Sequence, residues 1–288
     1  MDAMSLVPYA RLPRAHARGE ILDSTVDAFG RAHWLSGRRR DDRPYDATVV
    51  TVDDGQVHET RLSAVTARSP RLDALPDGGF VVADALRRGS DDHVQVFDAL
   101  GRPSWAFAVG HAISHLLTDE SGHLWVGHSD SGIFGDDPLS APGVRRWSST
   151  GEALWALAPA SDIGLVADCY ALNVDGDTAW AYLYTDWPLL RIRDREPVRV
   201  RSTGVAGAHA VAVHGGGAAL FGGYGDDADR LVLCTLTGTA AESWAVTSLV
   251  RPDGSPIGRR RVVCRGPRIY VQAAPCTAWE VWDLSAPA

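Results

Sequence analysis

The stretch "HLLTDESGHLWVGHSDSGIF", His115 to Phe134, holds three histidines and three acidic residues in twenty positions. Two interpretations compete: a metal or catalytic cluster, or one copy of a structural repeat. In an extended strand, residues i and i+2 share a face about 6.6 Å apart, whereas i and i+4 lie about 13 Å apart. His111 and His115 are therefore too distant to hold one ion, and His123 and His128 point to opposite faces. The chain contains neither H-x-H nor H-E-x-x-H, so local metal spacing is absent.

The same stretch, with the two residues before it, reads as an alternating strand ("ISHLLT"), a tight turn ("DESG"), an apolar strand ("HLWVG") and a polar loop ("HSDSG"). Asp119 suits the turn because an aspartate side chain bonds nearby backbone groups. Similar pairs recur as "PRLDALPDGGFVVAD" from Pro70, "CYALNVDGDTAWAYLYTD" from Cys169, "AHAVAVHGGGAALFGGYGDD" from Ala208 and "RRVVCRGPRIYVQA" from Arg260, with a weaker one, "STVDAFGRAHWLSG", from Ser24. Each places two runs of β-branched, aromatic or aliphatic residues around a glycine turn, the hairpin signal.

With Gly30, Gly78, Gly122, Gly176, Gly216 and Gly266 as turn glycines, successive hairpins are 48, 44, 54, 40 and 50 residues apart. That is the β-propeller blade range of roughly 40–50 residues. Strand candidates between the hairpins supply the outer half of each blade. After the last hairpin only "AWEVWDLSAPA" remains, so the N-terminal "SLVPYARL" is expected to add the missing outer strand. Such pairing removes an open sheet edge. The expectation is an all-β, six-bladed β-propeller of four-stranded blades closed by its N- and C-terminal strands, with seven or five blades as alternatives. The chain, 1–288, is then one domain: 1–18 closing strand and linker, then blades near 19–67, 68–110, 111–160, 161–207, 208–257 and 258–288.

"LLTDESGHLWVGHSDSGIF" resembles the repeat of the two-component-regulator propeller family, whose unit runs strand, Asp-x-x-Gly turn, Leu-Trp-Val-Gly strand and a glycine-containing turn. The match covers Leu116 to Phe134, extends to Leu72–Asp84, and is general in the other blades. The resemblance implies the propeller fold, while the family's many functions leave activity open.

Composition narrows the function. Hydrophobic residues form 45% of the chain and charged residues 22%, enough for a sizeable core. All 28 basic residues are arginine, which excludes Schiff-base lysine chemistry and a P-loop. A net charge of −8 argues against a nucleic-acid partner, and the run "GRRRDDRP" reads as a solvated loop. The first twenty residues lack the apolar core of a secretory signal, so no signal peptide is expected, and no window nears the roughly 18 apolar residues of a membrane span. A cytoplasmic protein without a membrane partner is expected, and its four scattered cysteines are expected as free, mostly buried thiols.

Propellers usually bind at one channel mouth, formed by the starts of the innermost strands and the loops after the second strands. Seven residues before the turn glycines stand Asp23, Arg71, His115, Cys169, His209 and Arg259. Four or five residues before them the side chains are mostly apolar, as at Val26, Ala74, Leu172, Ala212 and Val262. The loops add Asp84, His128, Asp130, Tyr184, Asp186, Tyr224, Asp226 and Asp227. Arg71, Arg259 and Arg260 suit an anion, and Tyr170 and Cys169 lie beside Asp168.

Three classes of function follow. The first is a module binding a small polar or anionic molecule or a peptide. The second is a hydrolase, lyase or isomerase with His115 or His209 as base, oriented by Asp23 or Asp168. The third is a protein–protein scaffold using an exposed aromatic such as Trp187. No cofactor or metal is expected, because a metal set of Asp23, His115 and His209 would need cross-channel precision. Trp125, with Phe80, Trp180, Phe221 and Tyr270 at equivalent places, is expected to form a packing layer.

Overall fold

The structure, a computed structural model, describes residues 3–17, 19–38, 43–86 and 91–286; residues 39–42 of the basic run lie outside them. Its regular secondary structure is almost wholly β-strand, and it divides into two compact units, Arg11–Ala158 and Met1–Ala10 with Pro159–Ala288.

The unit Arg11–Ala158 holds three four-stranded antiparallel sheets. The first comprises Ile21–Val26, Ala32–Gly37, Tyr45–Asp53 and Gln56–Val65; the second Pro70–Ala74, Phe80–Asp84, Val94–Phe97 and Pro103–Phe107. The third contains the opening stretch: Ile113–Thr118, Leu124–His128, Val144–Trp147 and Ala153–Ala156. In the other unit thirteen strands form one sheet. Asp168–Asp175, Thr178–Tyr184, Leu189–Arg193 and Arg199–Thr203 run antiparallel in order, as do Ala210–His214, Gly217–Phe221, Arg230–Leu236 and Ala240–Val250. Arg260–Arg265, Arg268–Ala273 and Ala278–Asp283 follow, and the N-terminal strand Val7–Arg11 pairs beside Ala278–Asp283.

The turn glycines adopt positive φ, between 50° and 87°, at Gly30, Gly78, Gly122, Gly176 and Gly266, a region open to glycine because it lacks Cβ. In the remaining hairpin the residue with positive φ is Gly215 rather than Gly216, because His214 pairs with Gly217 and leaves Gly215–Gly216 as a two-residue loop. Phe80, Trp125, Trp180, Phe221 and Tyr270 are all buried. Three of them also carry a guanidinium over the ring: Arg146 on Trp125, Arg201 on Trp180 and Arg260 on Phe221.

The innermost strands are less apolar than their sequence suggests. Val26, Ala74, Leu172 and Ala212 are buried as expected, but polar side chains interleave with them and bond the next inner strand. Asp23 accepts the Leu72 N–H at 2.7 Å. Asp73 accepts the Thr118 N–H at 2.5 Å and its hydroxyl at 2.6 Å. Asn173 donates to the Val211 and Gly266 carbonyls and accepts the Gly266 N–H. Short inner strands leave backbone groups that the next strand does not pair, and buried groups of this kind need partners.

The aspartate of the hairpin turn is also structural. Asp27 accepts the Phe29 and Arg31 N–H groups, the Arg31 guanidinium and the His33 ring. Burial alone would raise its pKa, but His33 and then Arg31 outweigh burial and hold the carboxyl at about 2. A depressed folded-state value makes the unfolded chain take up the proton first as pH falls. Nearly two pH units at about 1.4 kcal/mol each give roughly 2 kcal/mol of stability. That contribution is complete above about pH 5 and disappears as pH drops through 2. Urea unfolding followed from pH 5 to pH 2 is expected to show a flatter pH dependence for Asp27→Asn than for wild type; equal slopes would refute the assignment.

Candidate functional site

In the unit Arg11–Ala158 three site candidates, Asp23, Asp84 and His128, are committed to the fold. Asp23 is buried against Leu72. Asp84 is buried and accepts the N–H groups of Arg68, Ser69 and Leu86. His128 is fully buried, its Nδ1 bonded to the His111 carbonyl, and burial pushes its pKa down to about 4. It is therefore neutral at physiological pH and faces protein. Asp130 is exposed and bonds the Ser131 N–H from the start of a short helix, Asp130–Ile133. Arg71 and His115 are half-buried on neighbouring inner strands, and burial lowers the Arg71 pKa.

In the other unit the sequence candidates converge. Tyr170 lies between Cys169 and Ala171, where the strand register shifts: Cys169 pairs with Leu183 and Ala171 with Tyr182, leaving Tyr170 as the extra residue of a bulge. Bulges re-aim side chains, often beside sites. Tyr170 thereby becomes the centre of an aromatic group. Its ring stacks on His209 at 5.5 Å, meets Trp187 edge-on at 4.8 Å and lies 5.9 Å from Tyr184. The Tyr170 and Tyr224 hydroxyls are 2.6 Å apart. Burial, followed by the hydrogen bond to Tyr224, raises the Tyr170 pKa, so the phenol stays protonated.

Trp187 is not the exposed rim aromatic that "TDWPLL" suggests. It is half-buried, at φ 59°, and stacks on Tyr182 at 5.5 Å. The buried face of the group is thus closed, while Tyr184 and Tyr224 keep 40% and 57% of their surface open to solvent. Gly207, at φ 72°, permits the approach of Tyr224: a Cβ there would come within 2.5 Å of the ring. Sequence singled out Tyr170, Tyr184, His209 and Tyr224, but not the part played by Trp187, Tyr182 and Gly207. The Trp-Pro pair of "TDWPLL" marks a turn in the sequence but not the direction in which the ring faces.

His209 is exposed at the edge of this surface. Desolvation, then the charge of Arg260, lowers its pKa, so the imidazole is neutral near pH 7. Arg260 itself is engaged by Asp229 and the Ala228 carbonyl, and Arg259 beside it is exposed. Asp186 and Asp226 are also exposed. Asp168 is half-buried, opposite Tyr184 in the ladder. Cys169 faces protein, bonding the Ala171 carbonyl, and its thiol pKa is raised by burial and by Asp168. This leaves it a poor nucleophile. Among the described residues no group of three or more His, Cys, Asp or Glu is placed to hold a metal ion. Nor is any helix among them long and apolar enough to cross a membrane.

No family model and no curated protein matches the chain. Solved structures do. The WD40 domain of Toxoplasma gondii coronin aligns with TM-score 0.53 and 11% identity over 96% of this chain and 70% of that one. Chaetomium thermophilum Raptor gives TM-score 0.50 and 9% identity over all of this chain and 29% of that one. A virginiamycin B lyase from Staphylococcus aureus gives TM-score 0.48 and 12% identity, covering 94% and 97%. WD40 repeats build β-propellers, so the likeness to coronin shows a fold of β-propeller type.

Proposed function

We propose that this protein is a β-propeller binding module that takes a small polar or anionic molecule, or a peptide segment, on the surface formed by Tyr170, Tyr184, Trp187, His209 and Tyr224. One observation carries the reading. Five aromatic rings from four chain segments converge with their backs closed and two phenols open to solvent. Rigid amphipathic rings offer contact area and hydrogen bonds at little entropic cost. The surface lies where the first strand of one hairpin begins and the second ends, the end that a propeller presents at its channel mouth.

Acid–base catalysis at His115 or His209 with Asp23 or Asp168 has less support. Asp23 bonds Leu72, and no carboxylate is among the groups that shift His209. The wider reading is one six-bladed, cytoplasmic propeller domain of the two-component-regulator repeat type, with no nucleic-acid or membrane partner. It rests on the glycine spacing, the charge of −8 and the Leu116–Phe134 repeat.

The test is a thermal-shift and tryptophan-fluorescence screen of metabolites and short peptides against wild type, Tyr184→Ala and Tyr224→Ala. A ligand of this surface should lose about tenfold in affinity on removal of either exposed ring. Hits that bind both variants as tightly as wild type, or a screen without hits, would overturn the proposal.

A further inference from the structure

At the opposite end of the same strands, about 17 Å from Tyr170 by strand rise, the unit has a groove of about 460 Å³. Its walls include Asp175, Trp180, Arg191, Arg193, Arg201 and His214. Period-two alternation explains it. Tyr182 and Leu189 share a face with Trp180, Arg191 and Arg193, because Trp180 pairs with Arg191 and Tyr182 with Leu189; Arg201 pairs with Leu189. The Tyr182 end of this face packs into a hydrophobic core against Val211 and Leu220. The other end is cationic and opens into the groove.

Arg201 is the unusual member. It is only 6% exposed, and its Nε donates to the Thr237 carbonyl at 2.7 Å. Its guanidinium lies 5.6 Å over the Trp180 ring. Its Nη1 is buried without a hydrogen-bond partner. Arg191 and Arg193 are paired with Glu196 and Asp177, but no carboxylate pairs with Arg201 among the described residues. Burial and the charges of Arg191 and Arg199 all oppose its protonation, yet a guanidinium stays charged. A buried unpaired charge is costly, and an oxyanion supplies the missing acceptor. The volume is that of a small-molecule site.

We propose that this groove binds the oxyanion of a small molecule, a phosphate or a carboxylate, with Arg201 as the buried anchor and Arg191 and Arg193 at the rim. The Arg201 fork meets two oxygens, Trp180 holds the guanidinium plane in place, and the rim arginines exchange part of their pairing with Glu196 and Asp177 for the ligand.

Titration calorimetry with inorganic phosphate and, separately, citrate, each at ionic strength matched by chloride, tests this. Saturable binding of one of them to wild type is expected, and the stronger identifies the oxyanion class. Affinity is expected to fall at least tenfold in Arg201→Gln and several-fold in Arg191→Gln/Arg193→Gln. The rim variant keeps the test valid if Arg201→Gln does not fold. Tyr224→Ala should bind as wild type, which separates this site from the aromatic surface. Binding of neither anion beyond the chloride control, or unchanged affinity in the arginine variants that fold, would overturn the proposal.

Discussion

Asp119→Ala is expected to lower the unfolding free energy by about 3–5 kcal/mol, the cost of removing one partner from a buried ionic network. One Asp119 oxygen accepts the N–H groups of Ser121 and His123, at 3.0 and 2.9 Å. The other accepts the Trp125 indole at 3.3 Å and the Arg146 guanidinium at 3.0 Å. The carboxylate is 1% exposed and Arg146 11%, so truncation leaves the indole N–H without its acceptor and the guanidinium without a carboxylate, bonded still to His123 Nδ1 at 2.9 Å. Asp119→Asn keeps the shape and part of the turn bonding but loses the charge, so a smaller deficit is expected. Guanidinium denaturation of the three proteins measures the difference. A loss below about 1 kcal/mol for the alanine variant would put Asp119 in the class of exposed turn residues.

Asn173→Ala is expected to cost about 3 kcal/mol. The residue is fully buried. Its amide donates to Val211 O at 2.7 Å and Gly266 O at 2.8 Å, and accepts Gly266 N at 2.8 Å. These bonds join Asp168–Asp175 to the strands that follow it in space. Each buried group left unsatisfied costs about 1–3 kcal/mol. Asn173→Asp, nearly isosteric, is expected to be at least as damaging, since a carboxylate accepts from Gly266 but cannot donate to two carbonyls. Hydrogen exchange at Gly266 provides a local readout: protection there should fall before protection in the outer strands. Unchanged protection in both variants would rule out this role.

The hairpins were legible because their signals are local. A glycine turn between two apolar runs is decided within about fifteen residues, and the positive φ at Gly30, Gly78 and Gly122 follows from steric limits on any side chain. The histidines of His115–Phe134 show no chelating spacing in an extended strand, a reading that needs only strand geometry. The site was only half legible. Counting back from turn glycines identified His209 by position, with Tyr170 entering only as the neighbour of Cys169, but the same counting selected Asp23 and Cys169 and the loop reading selected His128, which the fold uses internally. A polar residue bonding a neighbouring backbone and one facing a ligand look alike in sequence.

By itself the sequence determined which segments pair into hairpins, where the outer strands follow, and that the N-terminal segment can supply a final strand. These depend on alternation and turn chemistry between near neighbours. Only the tertiary structure decided which polar groups are spent and which are free. Tyr170 is turned toward Trp187 and His209 by a one-residue bulge, and Arg201 is buried on a face whose other end is core. Both outcomes depend on residues distant in the chain becoming neighbours, and no local pattern encodes which partners burial will bring.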